Sequence, residues 1–359
     1  MRRPLPFVAL TATIFFLLAF VIFSHAIASQ RTACKGCERY GCSSLDLAPG
    51  SFHISISPVL YTTDLWRRNG KDWGKVEGIL DERQASGDVI AMYELGFRLY
   101  YLHQNASDKQ QGLQLVHRSA CRGSADAAAL LGKVYWEAIA QKESLPRSYF
   151  WFNKAHEWSS GFLRHMTPLR HIATFYLDGT YIKKNDEKFI ELNILADSIE
   201  AEARKNDAGM RPVDLPVLAA QHRAGIAYIL GSAYQAGGPL EAGSPSARVV
   251  SLRQDNTAAY KWLQISARAG LIDGMQKLAH LLATDNGSLR DPIAAAGWAY
   301  IAQARAISGR AKHLAAIAMQ EAVEPLDSQD RAKALALAES FQPQPPKAFD
   351  VDLSLDPSP

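Results

Sequence analysis

Small and large apolar residues follow a fixed order along the middle of the chain, and this order predicts paired α-helices. Residues 123–135 read Gly-x-Ala-x-Ala-x-x-x-Leu-Gly-x-x-Tyr. Ala127, Leu131 and Tyr135 lie four residues apart, a spacing that places them on one face of a helix. Trp151 follows sixteen residues after Tyr135 and belongs to a second predicted helix. The pattern therefore predicts a helical hairpin.

The same anchor residues return with a period of 36 residues. Gly96 precedes Gly132 by 36 positions, and Trp262 precedes Trp298 by 36 positions. Two less regular units lie between these, so the array has about five units. One helix pair cannot bury its apolar face alone, and neighbouring pairs must stack to supply a core. The sequence predicts an all-α fold, an α-solenoid of about five helix-pair repeats.

Two kinds of residue are predicted to mark the helix ends. Asp108, Asp255 and Asp291 each lie seven residues before the large anchor of a second helix. A carboxylate suits that position as an N-cap or first-turn residue. Gly123 and Gly270 close their units and suit the left-handed conformation that often ends a helix.

The repeat resembles the SEL-one-like repeat family, a family of tetratricopeptide-like α-solenoids. The resemblance rests on residues 123–135 and on the aspartate, tryptophan and Ala-Ala-x-x-Gly elements that follow, and it covers about residues 87–306. The repeat array, together with the catalytic motifs that the sequence lacks, predicts a non-enzymatic protein that binds another protein. Exported proteins of this type include bacterial immunity factors that neutralise envelope-targeting toxins, notably phospholipase effectors of type VI secretion. The resemblance implies such a role as one version of the function.

The first 28 residues are predicted to direct export. Arg2 and Arg3 precede an apolar run at residues 7–23, and Ala26 and Ala28 form the small-x-small pair of a signal-peptide cleavage site. The alternative is an uncleaved anchor, because about 20 apolar residues can cross a bilayer. Both predictions place the remaining chain in the periplasm, either free or anchored to the inner membrane.

The rest of the chain divides into four predicted parts. A cysteine-containing segment and cap cover residues 29–86, and the repeats cover residues 87–306, with an insertion at about residues 238–254. Capping helices are predicted at residues 307–341 and a proline-rich extended tail at residues 342–359.

Composition and charge narrow the choice of partner. The chain is 48% hydrophobic and 21% charged, with 39 basic residues (Lys and Arg) against 36 acidic ones. Nucleic-acid binders carry a basic excess or a basic stripe. Nucleic acid is therefore not an expected partner, and membrane contact is expected only through the possible N-terminal anchor.

Four cysteines, Cys34, Cys37, Cys42 and Cys121, are expected to form structural disulfides, because an exported protein meets an oxidising compartment. The sequence leaves three pairings open. The alternatives are zinc binding by the four thiolates and a redox pair at Cys34 and Cys37.

The sequence lacks the motifs of well-understood catalytic mechanisms, including the nucleophile elbow, the zinc helix and the glycine-rich phosphate loops. The chain is therefore predicted to be non-enzymatic, with no catalytic residue, cofactor or metal. The enzymatic alternative is a hydrolase of envelope glycan or peptide, since a catalytic carboxylate pair needs no fixed spacing. An envelope assembly scaffold is a further alternative.

The partner is predicted to bind the side of each first helix that lies opposite the anchors, because such helices commonly line the concave face of a solenoid. Helical offsets give these predicted contact residues: Tyr93, Phe97, Tyr101, Lys133, Glu137, Arg170, His171, Tyr228, Gln276 and His280. Trp151, Trp262 and Trp298 are predicted core residues. The aromatic run at residues 149–152, with Trp158, is predicted to be an additional contact patch, and the alternative is local over-packing beneath the irregular repeat unit.

Overall fold

A computed structural model describes the chain in six stretches: residues 37–42, 58–138, 144–159, 162–204, 214–240 and 250–355. These stretches contain fourteen α-helices, a short 3₁₀ helix at Cys37–Tyr40 and one pair of β-strands. The chain divides into two compact units, a first unit at Met1–Ser160 and a second unit at Gly161–Pro359. The fold is all-α, as predicted.

The first unit is built from helical hairpins. The helices are α1 (Pro58–Arg68), α2 (Trp73–Ala85), α3 (Val89–Tyr101), α4 (Ala106–Cys121), α5 (Ala125–Glu137) and α6 (Ser144–Trp158). Helices α3 and α4 pair with each other, as do α5 and α6, while α2 packs on α3 and α4 packs on α5.

The second unit continues the same hairpin pattern. Its helices are α7 (Phe162–Asp178), α8 (Asp186–Arg204), α9 (Leu215–Ala236), α10 (Asn256–Arg268), α11 (Ile272–Thr284), α12 (Pro292–Arg305), α13 (Gly309–Ala322) and α14 (Ser328–Glu339). Helices α7 and α8, α9 and α10, and α11 and α12 form pairs, and α13 and α14 both pack on α12. The predicted insertion contains two short strands, β1 (Gly238–Leu240) near its start and β2 (Val250–Leu252) near its end, which pair in antiparallel fashion. The sequence analysis did not predict these strands.

The predicted helix ends are confirmed. Asp255 and Asp291 are N-caps, and each carboxylate accepts a hydrogen bond at 2.9 Å from the amide three residues later. Asp108 lies in the first turn of α4. Gly123 and Gly270 have φ angles of +88° and +95°, which residues with a Cβ adopt only with strain.

The repeated glycine of the Leu-Gly motif allows the two helices of a hairpin to touch. A Cβ placed on Gly132 of α5 would lie 2.7 Å from the ring of Phe152 on α6. A Cβ on Gly231 of α9 would lie 2.7 Å from the side chain of Leu263 on α10. The same close approach in both units explains why the motif places glycine there.

We therefore expect Gly132→Ala to destabilise the protein, although alanine is the better helix former. Overpacking a well-filled core costs about 1–3 kcal/mol, which exceeds the gain of about 1 kcal/mol from helix propensity. The control is Gly78→Ala in α2, because nothing lies within 4 Å of a Cβ there. Urea unfolding should show a loss for the first variant and a small gain for the second. Equal gains in both would show that α5 and α6 are not in contact at Gly132.

The repeated large anchors are mostly core residues. Trp151 and Trp262 are fully buried, as predicted. Trp298 is only half-buried, and its ring meets the edge of Phe341 with ring centroids 5.5 Å apart. Phe341 lies two residues after the end of α14, so the end of the array leaves its last anchor partly covered rather than enclosed.

Within the first unit, the N-terminal cysteine segment is tied to α4 by a disulfide between Cys42 and Cys121, the last residue of that helix. The prediction of a structural disulfide is confirmed for this pair. Cys37 is also disulfide-bonded, and Cys34 lies outside the described residues. His117 reinforces the link, because its Nε2 lies 2.9 Å from the carbonyl oxygen of Tyr40.

None of the helices in the described stretches combines the length and the apolar content that crossing a bilayer requires. Residues 1–28, where the export segment is predicted, lie outside the described residues.

Candidate functional site

Five predicted contact residues come together in the first unit. Tyr93, Phe97 and Tyr101 lie four residues apart on α3 and therefore share one face of the helix. The ring centroids of Tyr93 and Phe97 are 6.2 Å apart, and those of Phe97 and Tyr101 are 5.0 Å apart. Lys133 and Glu137 lie beside this row on α5. We call these five residues the aromatic surface.

Charged groups complete the aromatic surface at its Tyr101 end. The Lys133 ammonium lies 5.7 Å from the centre of the Tyr101 ring and 3.8 Å from a carboxylate oxygen of Glu137. Burial and the Glu137 charge raise the pKa of the Tyr101 hydroxyl to about 12. Tyr101 therefore keeps its proton at neutral pH and can donate a hydrogen bond to a partner.

The rings of the aromatic surface pack against the hydrophobic core of the first unit. Tyr93 and Phe97 are half-buried and pack on a core that includes Val116 of α4 and Leu131 of α5. Tyr100, which sequence analysis missed, meets Tyr101 edge-on with centroids 4.9 Å apart. Aromatic rings that are already ordered lose little conformational entropy when a partner covers them, so they make effective anchors.

In the second unit, Arg170 forms ion pairs between helices. Its guanidinium lies 2.6 Å from a carboxylate oxygen of Asp197 and 3.2 Å from one of Glu200, both on α8. Asp197 also lies 2.6 Å from Nδ1 of His222 on α9. Arg170 thus helps to join α7, α8 and α9 while its side chain remains partly exposed.

Two predicted contact residues are not on the surface, and the prediction is wrong for them. His171 is 4% exposed and Gln276 is 8% exposed. His171 lies on α7, which packs on both α8 and β2, and Gln276 lies on α11, which packs on α13. The amide of Gln276 donates to the carbonyl oxygen of Ala311 on α13 at 3.0 Å. Helical offsets could not anticipate that α13 covers Gln276.

The last two predicted contact residues are partly exposed. Tyr228 is half-buried on α9. Nδ1 of His280 lies 2.7 Å from a carboxylate oxygen of Glu321, which joins α11 to α13. The structure therefore gathers the predicted residues into a cluster in the first unit, whereas several of those in the second unit make contacts between helices.

The prediction of a contact patch at residues 149–152 is also wrong, because all four residues are buried. The ring of Phe150 stacks on Tyr40, with centroids 4.2 Å apart. The segment held by the disulfide therefore covers a face of α6 that sequence analysis left open. Trp158 is half-buried.

Glu94 of α3 is a buried carboxyl group that sequence analysis did not single out. Burial raises its pKa to about 7, although a hydrogen bond with Thr62 and the charge of Arg98 act to lower it. The charge of Asp126 raises the pKa further. Near neutral pH this carboxyl group is therefore protonated in a substantial fraction of molecules.

We expect the Glu94→Gln variant to change how stability depends on pH. The folded pKa of Glu94 lies above the ordinary value, so the native protein loses stability as the pH rises from about 4.5 through 7. Glutamine removes that loss. Urea unfolding should show similar stability of both proteins at pH 4, and at pH 8 an advantage for the variant of about 2–3 kcal/mol. A variant less stable than the wild type at pH 8 would show that the carboxylate is stabilising there.

Comparison with known proteins adds similarity to solved structures. No family model matches the chain, and no curated protein matches it. A protective antigen present in uropathogenic Escherichia coli strains, displaying an SLR fold, is 17% identical over 76% of this chain, with a TM-score of 0.31. The match spans 56% of that antigen, just over half of its length. A Sel1 repeat protein from Oxalobacter formigenes is 16% identical, with 80% of this chain and 89% of that one covered and a TM-score of 0.35.

Proposed function

We propose that this chain is an exported, non-enzymatic repeat protein whose partner protein docks on the aromatic surface. The observation that carries the proposal is the row formed by Tyr93, Phe97 and Tyr101. These rings are partly exposed yet packed in place, and the Lys133 and Glu137 pair lies beside them. Aromatic anchors next to a few charged groups are typical of the residues that dominate binding energy at protein interfaces.

Two observations support the export part of the proposal. The first residues of the chain carry the positive, apolar and small-residue pattern of a signal segment. Cys42 and Cys121 form a disulfide, and Cys37 is disulfide-bonded as well. Disulfides persist in oxidising compartments and are rare in the cytosol. The periplasm, with the chain either free or anchored to the inner membrane, is the compartment that we propose.

The binding surface is tested with single variants. Phe97→Ala and Tyr101→Ala should each weaken partner binding at least tenfold, because each removes an anchoring ring. The partner is first captured by cross-linking the tagged protein in the periplasm, and affinity is then measured by calorimetry with the purified pair. Ile307→Ala is the control, since Ile307 is an exposed apolar residue of the second unit. Affinities within twofold of wild type for both aromatic variants would place the binding site elsewhere.

Neutralisation of an envelope-targeting toxin is the finer version of this proposal, and the family resemblance supports it. The toxin to test is the product of a gene that neighbours the gene for this chain. Co-expression of the chain should restore growth of cells that export the toxin, and Tyr101→Ala should reduce the protection. If toxin-exporting cells grow equally poorly with and without the chain, this version is ruled out. The binding proposal would still be decided by the affinity test.

A further inference from the structure

The C-terminal tail lies along the second unit as an extended peptide. Residues 341–355 contain neither helix nor strand, and most of their side chains are exposed. The tail runs from the end of α14 past α10 to α8. Its contacts involve Lys188 and Glu191 of α8 and Trp262 and Arg268 of α10. We call these four residues the tail groove.

The tail groove holds the tail mainly by its backbone. The amide of Gln344 donates to the carbonyl oxygen of Arg268 at 2.7 Å, and the amide of Phe349 donates to a carboxylate oxygen of Glu191 at 3.1 Å. The ammonium of Lys188 donates to the carbonyl oxygen of Ser354 at 2.7 Å. Recognition of backbone groups places few demands on the sequence of the peptide.

One large side chain adds an apolar anchor. The ring of Phe349 meets the ring of Trp262 edge-on, with centroids 5.7 Å apart. Pro343, Pro346 and Phe349 are spaced by three residues, the period of a polyproline II helix, which presents every third residue on one side. Pro343 lies beside Gly270, at the end of α10. The occupant therefore has the chemistry of a proline-rich peptide with one aromatic residue.

The floor of the tail groove is organised by contacts that do not involve the tail. With the tail in place, Lys188 and Glu191 are each only 6% exposed. Both carboxylate oxygens of Glu191 accept hydrogen bonds from Arg223, at 2.6 and 2.7 Å. The Lys188 ammonium lies 4.5 Å from the centre of the Tyr176 ring. Because these contacts do not involve the tail, we expect the groups that bind peptide backbone to stay in position when it leaves.

We propose that the tail groove is a docking site for extended proline- and phenylalanine-bearing segments of a partner protein, and that residues 342–355 occupy it until such a segment displaces them. The tail shows which features a bound segment uses, namely backbone hydrogen bonds and one aromatic ring. Most of its other side chains are exposed and contribute little to binding. Three backbone hydrogen bonds and one ring contact hold the tail, so a partner segment that makes the same contacts can compete with it despite the advantage that the tether gives the tail. This site is separate from the aromatic surface, and its test does not depend on the function proposed above.

The test uses a labelled synthetic peptide with the sequence of residues 342–355 and a chain that ends after Phe341. Fluorescence anisotropy should show that the peptide binds the shortened chain at least tenfold more tightly than the full chain, where the tail competes. The Phe349→Ala peptide should bind at least tenfold more weakly than the unchanged peptide. The matched control is the Leu353→Ala peptide, which should bind within twofold, because Leu353 is exposed.

Displacement is tested in the full chain by tryptic cleavage after Lys347, an exposed residue of the tail. An excess of the Lys347→Gln peptide, which trypsin does not cut at that position, should accelerate this cleavage. An unchanged cleavage rate at saturating peptide would overturn the proposed displacement.

The remaining outcomes also decide the proposal. A shortened chain that stays helical but binds no peptide overturns it, as does equal binding of the Phe349→Ala peptide. If the shortened chain does not fold, the test uses the full chain with Phe349→Ala. This variant should bind the unchanged peptide at least tenfold more tightly than the wild-type chain does. If it does not, the tail is a fixed part of the fold and the proposal is overturned. A full-chain dimer in light scattering that dissociates when the tail is removed would make the occupant a second copy, which overturns the partner assignment.

Discussion

Replacing both Cys42 and Cys121 with alanine is expected to lower the free energy of unfolding by about 4 kcal/mol. The disulfide closes a loop across a sequence separation of 79 residues, and a loop of this length restricts the unfolded chain strongly. Alanine is the suitable replacement because both sites are buried and a serine hydroxyl there would need a hydrogen-bond partner. Chemical unfolding followed by circular dichroism measures the loss.

The disulfide variant has a local control. Tyr40→Leu leaves the disulfide intact but removes the ring that stacks on Phe150. It should cost about 1 kcal/mol, the size of one aromatic pair. If the cysteine double variant is no less stable than Tyr40→Leu, the disulfide does not hold the N-terminal segment on α4 and α6.

Trp151→Ala is expected to cost about 3–5 kcal/mol, because it removes a fully buried anchor and leaves a large cavity. The ring meets Phe150 and His117 edge-on, with centroids 5.0 and 5.7 Å away, so two neighbouring rings lose a contact. Urea unfolding of the purified variant measures the effect.

Trp151→Phe is the matched control for this prediction. Within the described residues the buried indole nitrogen of Trp151 has no hydrogen-bond partner, so phenylalanine removes a polar group that makes no bond there. The cost should therefore fall well below that of alanine. A similar loss for both variants would indicate a required indole hydrogen bond, and no loss for Trp151→Ala would contradict its role as a core anchor.

The repeat could be predicted from sequence because its determinants are local. The glycine at position 132 and the anchor at position 151 occur at fixed offsets that the hairpin itself imposes. Helix caps such as Asp255 and Asp291 are equally local, since each carboxylate bonds an amide three residues later. The period of 36 residues made these signals visible in several places along the chain.

The part of the candidate site that lies on one helix could be predicted from sequence. The row at Tyr93, Phe97 and Tyr101 follows from their spacing on α3. Gln276 was misplaced because α13 packs on its helix and accepts its side-chain hydrogen bond, and His171 was misplaced because its helix packs on other elements of the second unit. Offsets within one helix carry no information about such covering elements.

The tail groove gave no sequence signal. Lys188 and Glu191 read as ordinary charged residues of an amphipathic helix, and only the folded chain shows that they are buried and bond the backbone of the tail. The buried state of residues 149–152 was missed for a similar reason. The disulfide brings Tyr40 onto Phe150, although 110 positions separate the two residues in the sequence.

Solvent access to the tryptophans tests the central claim, that helical hairpins stack and enclose the repeated anchors. The measurement is ¹⁹F relaxation of fluorotryptophan-labelled protein by a soluble gadolinium chelate, with signals assigned by Trp→Phe variants. Trp151 and Trp262, 0% and 1% exposed, should be almost unaffected, whereas Trp73, 41% exposed, should relax strongly. Relaxation of Trp151 or Trp262 as fast as that of Trp73 would contradict the stacked-hairpin fold.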